Sequence, residues 1–222
     1  MKNNFKENLK SILPATPGIH GRGELPTSVV MVLLTEINGE YHFVLEERNP
    51  NIRQGGEVCF PGGMFDEGTD ASPRETALRE TAEELGLPGE KIEIIGRLDT
   101  FVAAMGAVVE IFVGVMNADI SSLRINRDEV EKVFTVPVSY FENTEPEIHQ
   151  VMIRLFSSEI NQETGEEVVY LPVREIGLPE RYIDPWGNFK QNVYVFKTDK
   201  GVVWGLTAKI IMDLVRIIKT IS

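Results

Sequence analysis

FPGGMFDEGTDASPRETALRETAEELGL, residues 60–87, passes from a glycine turn through an acidic loop into a short helix. Ser72, Pro73 and Glu75 have the character of an N-cap, a first helical residue and a capping-box partner, so the helix is expected to begin there. Gly86 and Pro88 supply its stop. At about 100° per residue, Leu78, Thr81, Ala82 and Leu85 share one face, and Glu80, Glu83 and Glu84 share the other. Carboxylates at i, i+3 and i+4 repel one another, and Arg79 is the one cation in that turn, placed four residues before Glu83 to brace it. Such a face is either a solvated helix surface or a site for a hard divalent cation. Mg²⁺ (or Mn²⁺) takes carboxylate oxygens and leaves room for waters and substrate phosphates. Glycines at 62 and 63 let the backbone approach a metal and a phosphate without a side chain in the way.

Gly63 together with Arg79-Glu80-Thr81-Ala82-Glu83-Glu84-Leu85-Gly86-Leu87 resembles the Nudix box. The second half fits closely, with Thr81 at an aliphatic place. The first half departs: Gly63 lies two residues further from Arg79 than the pattern wants, and Thr69 stands at the place of its glutamate, amid Asp66, Glu67 and Asp70. A longer loop of this kind resembles the coenzyme A pyrophosphatase branch, with FPGG, Asp66 and Thr76-Ala77-Leu78-Arg79-Glu80. Upstream, Val44-Leu45-Glu46-Glu47-Arg48-Asn49, Arg53 and Gly56 partly match that branch; Glu46 replaces a threonine and Asn49 a serine.

The resemblance implies hydrolysis of a nucleoside diphosphate derivative, most directly coenzyme A or acyl-coenzyme A, giving 3′,5′-ADP and the phosphopantetheine portion. Glu80 and Glu84 would hold the metal with the carbonyl of Gly62 or Gly63, and Glu83 would either join them or take a proton from water, oriented by Arg79. Arg48 and Arg53 are candidate cations for the 3′-phosphate, or neutralise Glu46 or Glu47. The alternatives are an ADP-ribose or nucleotide-sugar pyrophosphatase and a non-catalytic nucleotide-binding sensor on the same fold.

A net charge of −12 argues against nucleic-acid polymers and anionic membranes as partners. It allows a small phosphate ester when a metal bridges the two negative parties. One cysteine, Cys59, excludes an internal disulfide, and without a long apolar run the chain reads as cytoplasmic. Cys59 reads as packing. His20, His42 and His149 are isolated in sequence and read as structural.

Residues 3–13 carry Phe5, Leu9, Ile12 and Leu13 at helical spacing, a helix expected to pack on the body or on a second copy of the chain in a homodimer. The runs 26–36 and 41–46 read as strands joined at Asn38-Gly39. Residues 92–101 and 107–116 read as two long strands, with Glu110 inside the second. A carboxylate there is paired, metal-bound or at a sheet edge, which makes Glu110 a secondary candidate ligand. Glu129 or Glu131, in the loop opening 126–137, could reach the site or be solvated. Residues 139–141 begin a short helix, 148–156 and 168–173 suggest a hairpin turned at 161–165, and 177–191 is a loop rich in Pro, Gly, Trp and Arg. Its Tyr182 and Trp186 line the substrate pocket or cover core. Strands at 192–196 and 202–204 flank a turn at 199–201, and 208–218 is an amphipathic closing helix. The sum is an α+β fold, a Nudix-type mixed β-sheet between helices (an α/β/α sandwich). It is expected as a single domain over 1–222, with a core at 27–142 and residues 143–222 completing or extending it.

Overall fold

The computed structural model describes residues 4–16 and 18–221. A helix, α1 (Phe5–Ile12), precedes the body; residue 3 of its expected span lies outside the described residues. The apolar run near residue 30 becomes β1 (Thr27–Ile37), which turns at Asn38 and Gly39, both with left-handed φ, into β2 (Glu40–Arg48). Then come β3 (Val58–Cys59), β4 (Gly62–Met64), the helix α2 (Pro73–Leu85), β5 (Ile92–Arg97), β6 (Phe101–Ala103), β7 (Ala107–Met116) and β8 (Val130–Pro137). These strands form one eight-stranded sheet, in which β7 runs parallel to β1 and the other described pairings are antiparallel.

Side chains alternate across a strand, so β1 can serve two cores at once. Val29, Met31 and Leu33 pack with Ala77 and Leu85 of α2. Val32 and Leu34 pack on the opposite face against α3 (Val138–Asn143) and the closing helix α4 (Gly205–Ile218), through Phe141, Ile211 and Leu214. Each such aliphatic side chain contributes about 1.5–3 kcal/mol by leaving water. The mixed sheet between helices is therefore the expected α/β/α arrangement.

Three expectations need correction. Residues 92–101 are not one strand: after a last bond from the Leu98 amide to the Ile111 carbonyl the chain leaves the ladder at 99–100, and Arg97 and Thr100 turn their side chains onto Glu110. The turn at 161–165 does close a hairpin, but a short one, between β10 (Ser158–Ile160) and β11 (Glu167–Val169). The longer strand β9 (Glu147–Leu155) pairs instead with β12 (Trp186–Lys197), where eight paired positions satisfy more backbone than a local hairpin could. Residues 186–191, expected as loop, are thus strand; β12 continues through the 199–201 turn into β13 (Val202–Trp204). Of the two seats expected for the apolar side of α1, the body is not used, since Phe5, Leu9, Ile12 and Leu13 are exposed; a partner chain stays the expected one.

The glycine turn lies against β1, with Val29 opposite Gly63 and Val30 opposite Gly62. A Cβ on Gly62 would stand 2.1 Å from the Val29 carbonyl oxygen, so the strands could not keep this register. Gly62→Ala should lower the unfolding free energy by about 1–3 kcal/mol, the usual range for overpacking, as read by urea denaturation.

Candidate functional site

Helix α2 starts as its capping residues require. The Ser72 hydroxyl accepts from the Glu75 amide at 3.4 Å, and the Glu75 carboxylate reaches back to the Ala71 amide at 2.9 Å. At the other end Gly86 is left-handed, and the last carbonyls are taken by a following loop: Arg124 N–H donates to Leu85 and Asn126 N–H to Glu84. That capping draws the turn at 126–130 alongside the acidic helix. Exposed Glu129 comes with it, and its charge acts on Glu46, Glu80 and Glu84.

The three helix carboxylates are not equivalent. Glu83 has 55% of its side chain exposed, Glu80 17%, and Glu84 as a residue only 3%. Glu84 is thus not on a solvent face. It sits over the glycine turn, where its Oε2 accepts the Gly62 amide at 2.9 Å. Burial, and after it the charge of Glu46, pushes its carboxyl well above the usual carboxylate range. Burial also raises Glu80. A Cβ on Gly63 would lie 2.3 Å from the Glu80 carboxyl carbon, so only glycine admits that carboxylate against the strand.

Arg79 braces Glu83 as expected, through Nη1 at 3.0 Å, and also contacts Glu80 at 2.9 Å. The remaining edge of its guanidinium is held in a fork by Asp70, at 2.9 Å from Nε and 2.7 Å from Nη2. Thr76 fixes Asp70 in turn at 2.9 Å. The Arg79 guanidinium holds the Asp70 carboxyl below its ordinary range, and Asp70 holds Arg79 charged. The acidic loop therefore serves to orient the arginine, a role the spacing of Asp70 did not reveal.

Glu46 is the other residue that sequence reasoning missed. It is 0% exposed, and burial raises its carboxyl while Arg48 opposes the rise. Glu110, by contrast, is paired. It lies 1% exposed on the interior strand β7, its oxygens taken by Arg22, Arg97 and Thr100. The edge position does not describe it, and its carboxylate is occupied by ion pairs. Glu131 offers only its backbone oxygen, to Arg127. Arg48 donates from Nε to the Arg53 carbonyl at 3.3 Å, Arg53 is exposed in the 49–56 loop, and Glu47 is neutralised by Lys132 at 2.8 Å. Tyr182 and Trp186 pack edge to face on each other, their ring centroids 5.4 Å apart. A cavity of about 470 Å³ lies behind the 49–56 loop, bordered by Gly55, Gly56, Val58, Gly201 and Trp204.

A model of the NUDIX domain matches residues 25–185. The chain belongs to the Nudix family. It is 36% identical over 144 residues to Nudix hydrolase 3 of Caenorhabditis elegans, a match covering 62% of this chain and 59% of that protein. To the mouse (Mus musculus) peroxisomal coenzyme A diphosphatase NUDT7 it is 37% identical over 113 residues, 50% of this chain and 47% of the relative. The Photorhabdus laumondii protein named uncharacterized Nudix hydrolase NudL is 31% identical over 172 residues, 77% of this chain and 74% of the relative. The chain thus spans less than two thirds of the first two relatives' lengths.

Nudix hydrolases generally use a divalent cation, and the donor set here suits a hard one: carboxylate oxygens over a bare backbone. As the side chains stand, Glu80 leans on Arg79 and Glu84 takes the Gly62 amide. Among the described residues no three acidic, His or Cys side chains form a ready cage. No described helix is long and apolar enough to cross a membrane.

Two outcomes follow from this geometry. Glu84 has a raised carboxyl in the folded state, so its contribution to metal-free stability is complete below the ordinary carboxylate range and falls away as pH rises above it. Above the ordinary carboxylate range, urea midpoints of metal-free protein should therefore decline as pH rises, and Glu84→Gln should flatten that decline. Glu110→Gln should weaken folding by about 1–3 kcal/mol, the worth of hydrogen bonds to charged groups. Titration with Mn²⁺ should find its affinity unchanged.

Proposed function

We propose that this chain is a divalent-metal-dependent pyrophosphohydrolase whose substrate is coenzyme A or an acyl-coenzyme A, cut into 3′,5′-ADP and (acyl-)phosphopantetheine. The observation that carries the hydrolase reading is the graded set of carboxylates on α2, from buried Glu84 to exposed Glu83, held over Gly62 and Gly63. Glu80 and Glu84 would hold the cation together with a glycine-turn carbonyl, that of Gly62 or Gly63. When bound, Mg²⁺ or Mn²⁺ would polarise a phosphoryl oxygen and acidify water. Glu83 is the carboxylate with free access to that water, either as a further ligand or as the group taking its proton. Arg79, locked by Asp70, fixes where the Glu83 carboxylate sits. Glycine at 62 and 63 lets a diphosphate come close to the strand backbone.

The substrate reading rests on the FPGG, Asp66 and TALRE matches and on the coenzyme A diphosphatase name of the mouse relative. Arg48 and Arg53, next to each other at the 49–56 loop, are the cations we assign to the 3′-phosphate. ADP-ribose or a nucleotide sugar is the second reading; it lacks that phosphate. A catalytically silent sensor is disfavoured because binding alone needs no proton acceptor beside the metal. The same proposal takes residues 143–222 as completing one domain with the 27–142 core, places the protein in the cytoplasm, and gives it a small nucleotide rather than a nucleic-acid polymer as partner.

Turnover of coenzyme A, dephospho-coenzyme A and ADP-ribose, each with Mg²⁺, tests the assignment. Coenzyme A should be cut best, and Arg48→Ala should erase its advantage over the dephospho form. Glu80→Gln and Glu84→Gln should each lower kcat by about a hundredfold or more while circular dichroism stays native, in line with losing transition-state charge stabilisation. Equal rates on all three compounds would remove the 3′-phosphate assignment, and full activity in either glutamine variant would remove the metal assignment.

A further inference from the structure

We infer that Glu46 is an additional metal ligand on the floor of this site, facing α2 from strand β2 and sharing a divalent cation with Glu84. The inference rests on the metal-dependent reading above.

Its first support is an orphaned atom. Glu46 is fully sealed from solvent, yet its Oε2 has no hydrogen-bond partner. Its Oε1 has only the Cys59 thiol, at 3.5 Å, a weak donor. Buried carboxylates ordinarily end on an arginine or on several amides, as Glu110 does. No such partner meets Glu46 among the described residues. Arg48 stands two residues further along the strand, on the same face, but its Nε goes to the Arg53 carbonyl.

The second support is direction. Along β2, Phe43 and Leu45 point into the cluster under α4, and Val44 into the cluster under α2. The two-residue period therefore aims Glu46 at α2. Its partner across β8, Val133, also packs into the α2 cluster, and its partner across β3 is Cys59, one residue before the FPGG turn. On α2 the carboxylate that comes down to this level is Glu84, itself buried over Gly62. Of all the charges acting on Glu84, that of Glu46 is the largest.

Two buried carboxylates facing each other, one with an unused oxygen, are an arrangement a hard dication relieves by binding both. Glu46 would thereby add a ligand from the sheet to those offered by the helix. In this reading the glutamate at 46 is a change in the metal's coordination, not a neutral replacement of the threonine seen in the resembling branch.

Loss of the free Mn²⁺ electron paramagnetic resonance signal, together with the Mn²⁺-induced shift in thermal midpoint, tests this on wild type, Glu46→Gln, Glu46→Asp, Glu84→Gln and Glu47→Gln. Glu46→Gln should leave the metal-free midpoint close to wild type, because it exchanges one buried polar group without a full set of partners for another of the same shape. Its Mn²⁺ affinity should fall by at least about tenfold, and the midpoint shift should shrink. Glu46→Asp keeps the charge but shortens the reach, and should also weaken Mn²⁺. Glu47→Gln, on the opposite face, should match wild type. Wild-type Mn²⁺ affinity in both Glu46 variants, with Glu84→Gln impaired, would overturn the inference and leave the metal site standing. A metal-free midpoint lowered in Glu46→Gln with Mn²⁺ affinity intact would make the residue structural and also overturn it. No Mn²⁺ binding by the wild type would take down the metal reading itself.

Discussion

Everything in this molecule that bears on chemistry depends on how closely α2 is pressed onto the bare backbone of the glycine turn. The Gly62 amide meets Glu84, and the space a Gly63 side chain would need is filled by the Glu80 carboxyl. That contact is possible because β4 is zipped to β1 beneath it, and because Ala77 and Leu85 sink the other side of the helix into the core with Val29, Met31 and Leu33. Apolar burial thus supplies the force that holds like charges together. The repulsion that results is answered on one side by Arg79, itself clamped by Asp70. Toward the sheet, among the described residues, the Gly62 amide and the Cys59 thiol are the donors that meet Glu84 and Glu46.

The parts of this arrangement that a reader of the sequence can see are those written in local code. Ser72, Pro73 and Glu75 start the helix and Gly86 ends it because caps depend on neighbours three or four residues away. The Asn38-Gly39 turn is equally local, and so is the pairing it sets up. A helical wheel placed Glu80, Glu83 and Glu84 together, yet it could not say which would be roofed by the turn. Glu84 became the buried one because of where β4 lies, information held in residues 62–64 and in β1. Asp70 was invisible as the arginine's partner because the loop must fold back nine residues to reach it. Glu46 required the register of three strands before its direction was known, although its two-residue offset from Val44 was a usable sign. Glu110 announced that it needed a partner, but Arg22 is 88 residues away. The pairing of β9 with β12 is likewise absent from local code, since the turn at 161–165 is a short-range signal and specifies only the β10–β11 hairpin around it.

The ribbon formed by β9 and β12 has a colloidal consequence. It leaves Ile148, Val151, Met152, Leu155 and Phe189 exposed. A close-packed monomer of 24.9 kDa would show about 10,000 Å² to solvent, whereas this chain shows 14546 Å². Greasy area of this kind attracts its like, and what opposes contact between two copies at a distance is the net charge of −12 on each. Ions thin that mutual repulsion over roughly 10 Å at 0.1 M salt while leaving apolar attraction intact. Added salt should therefore favour contact between copies through this ribbon, and dilute buffer should oppose it.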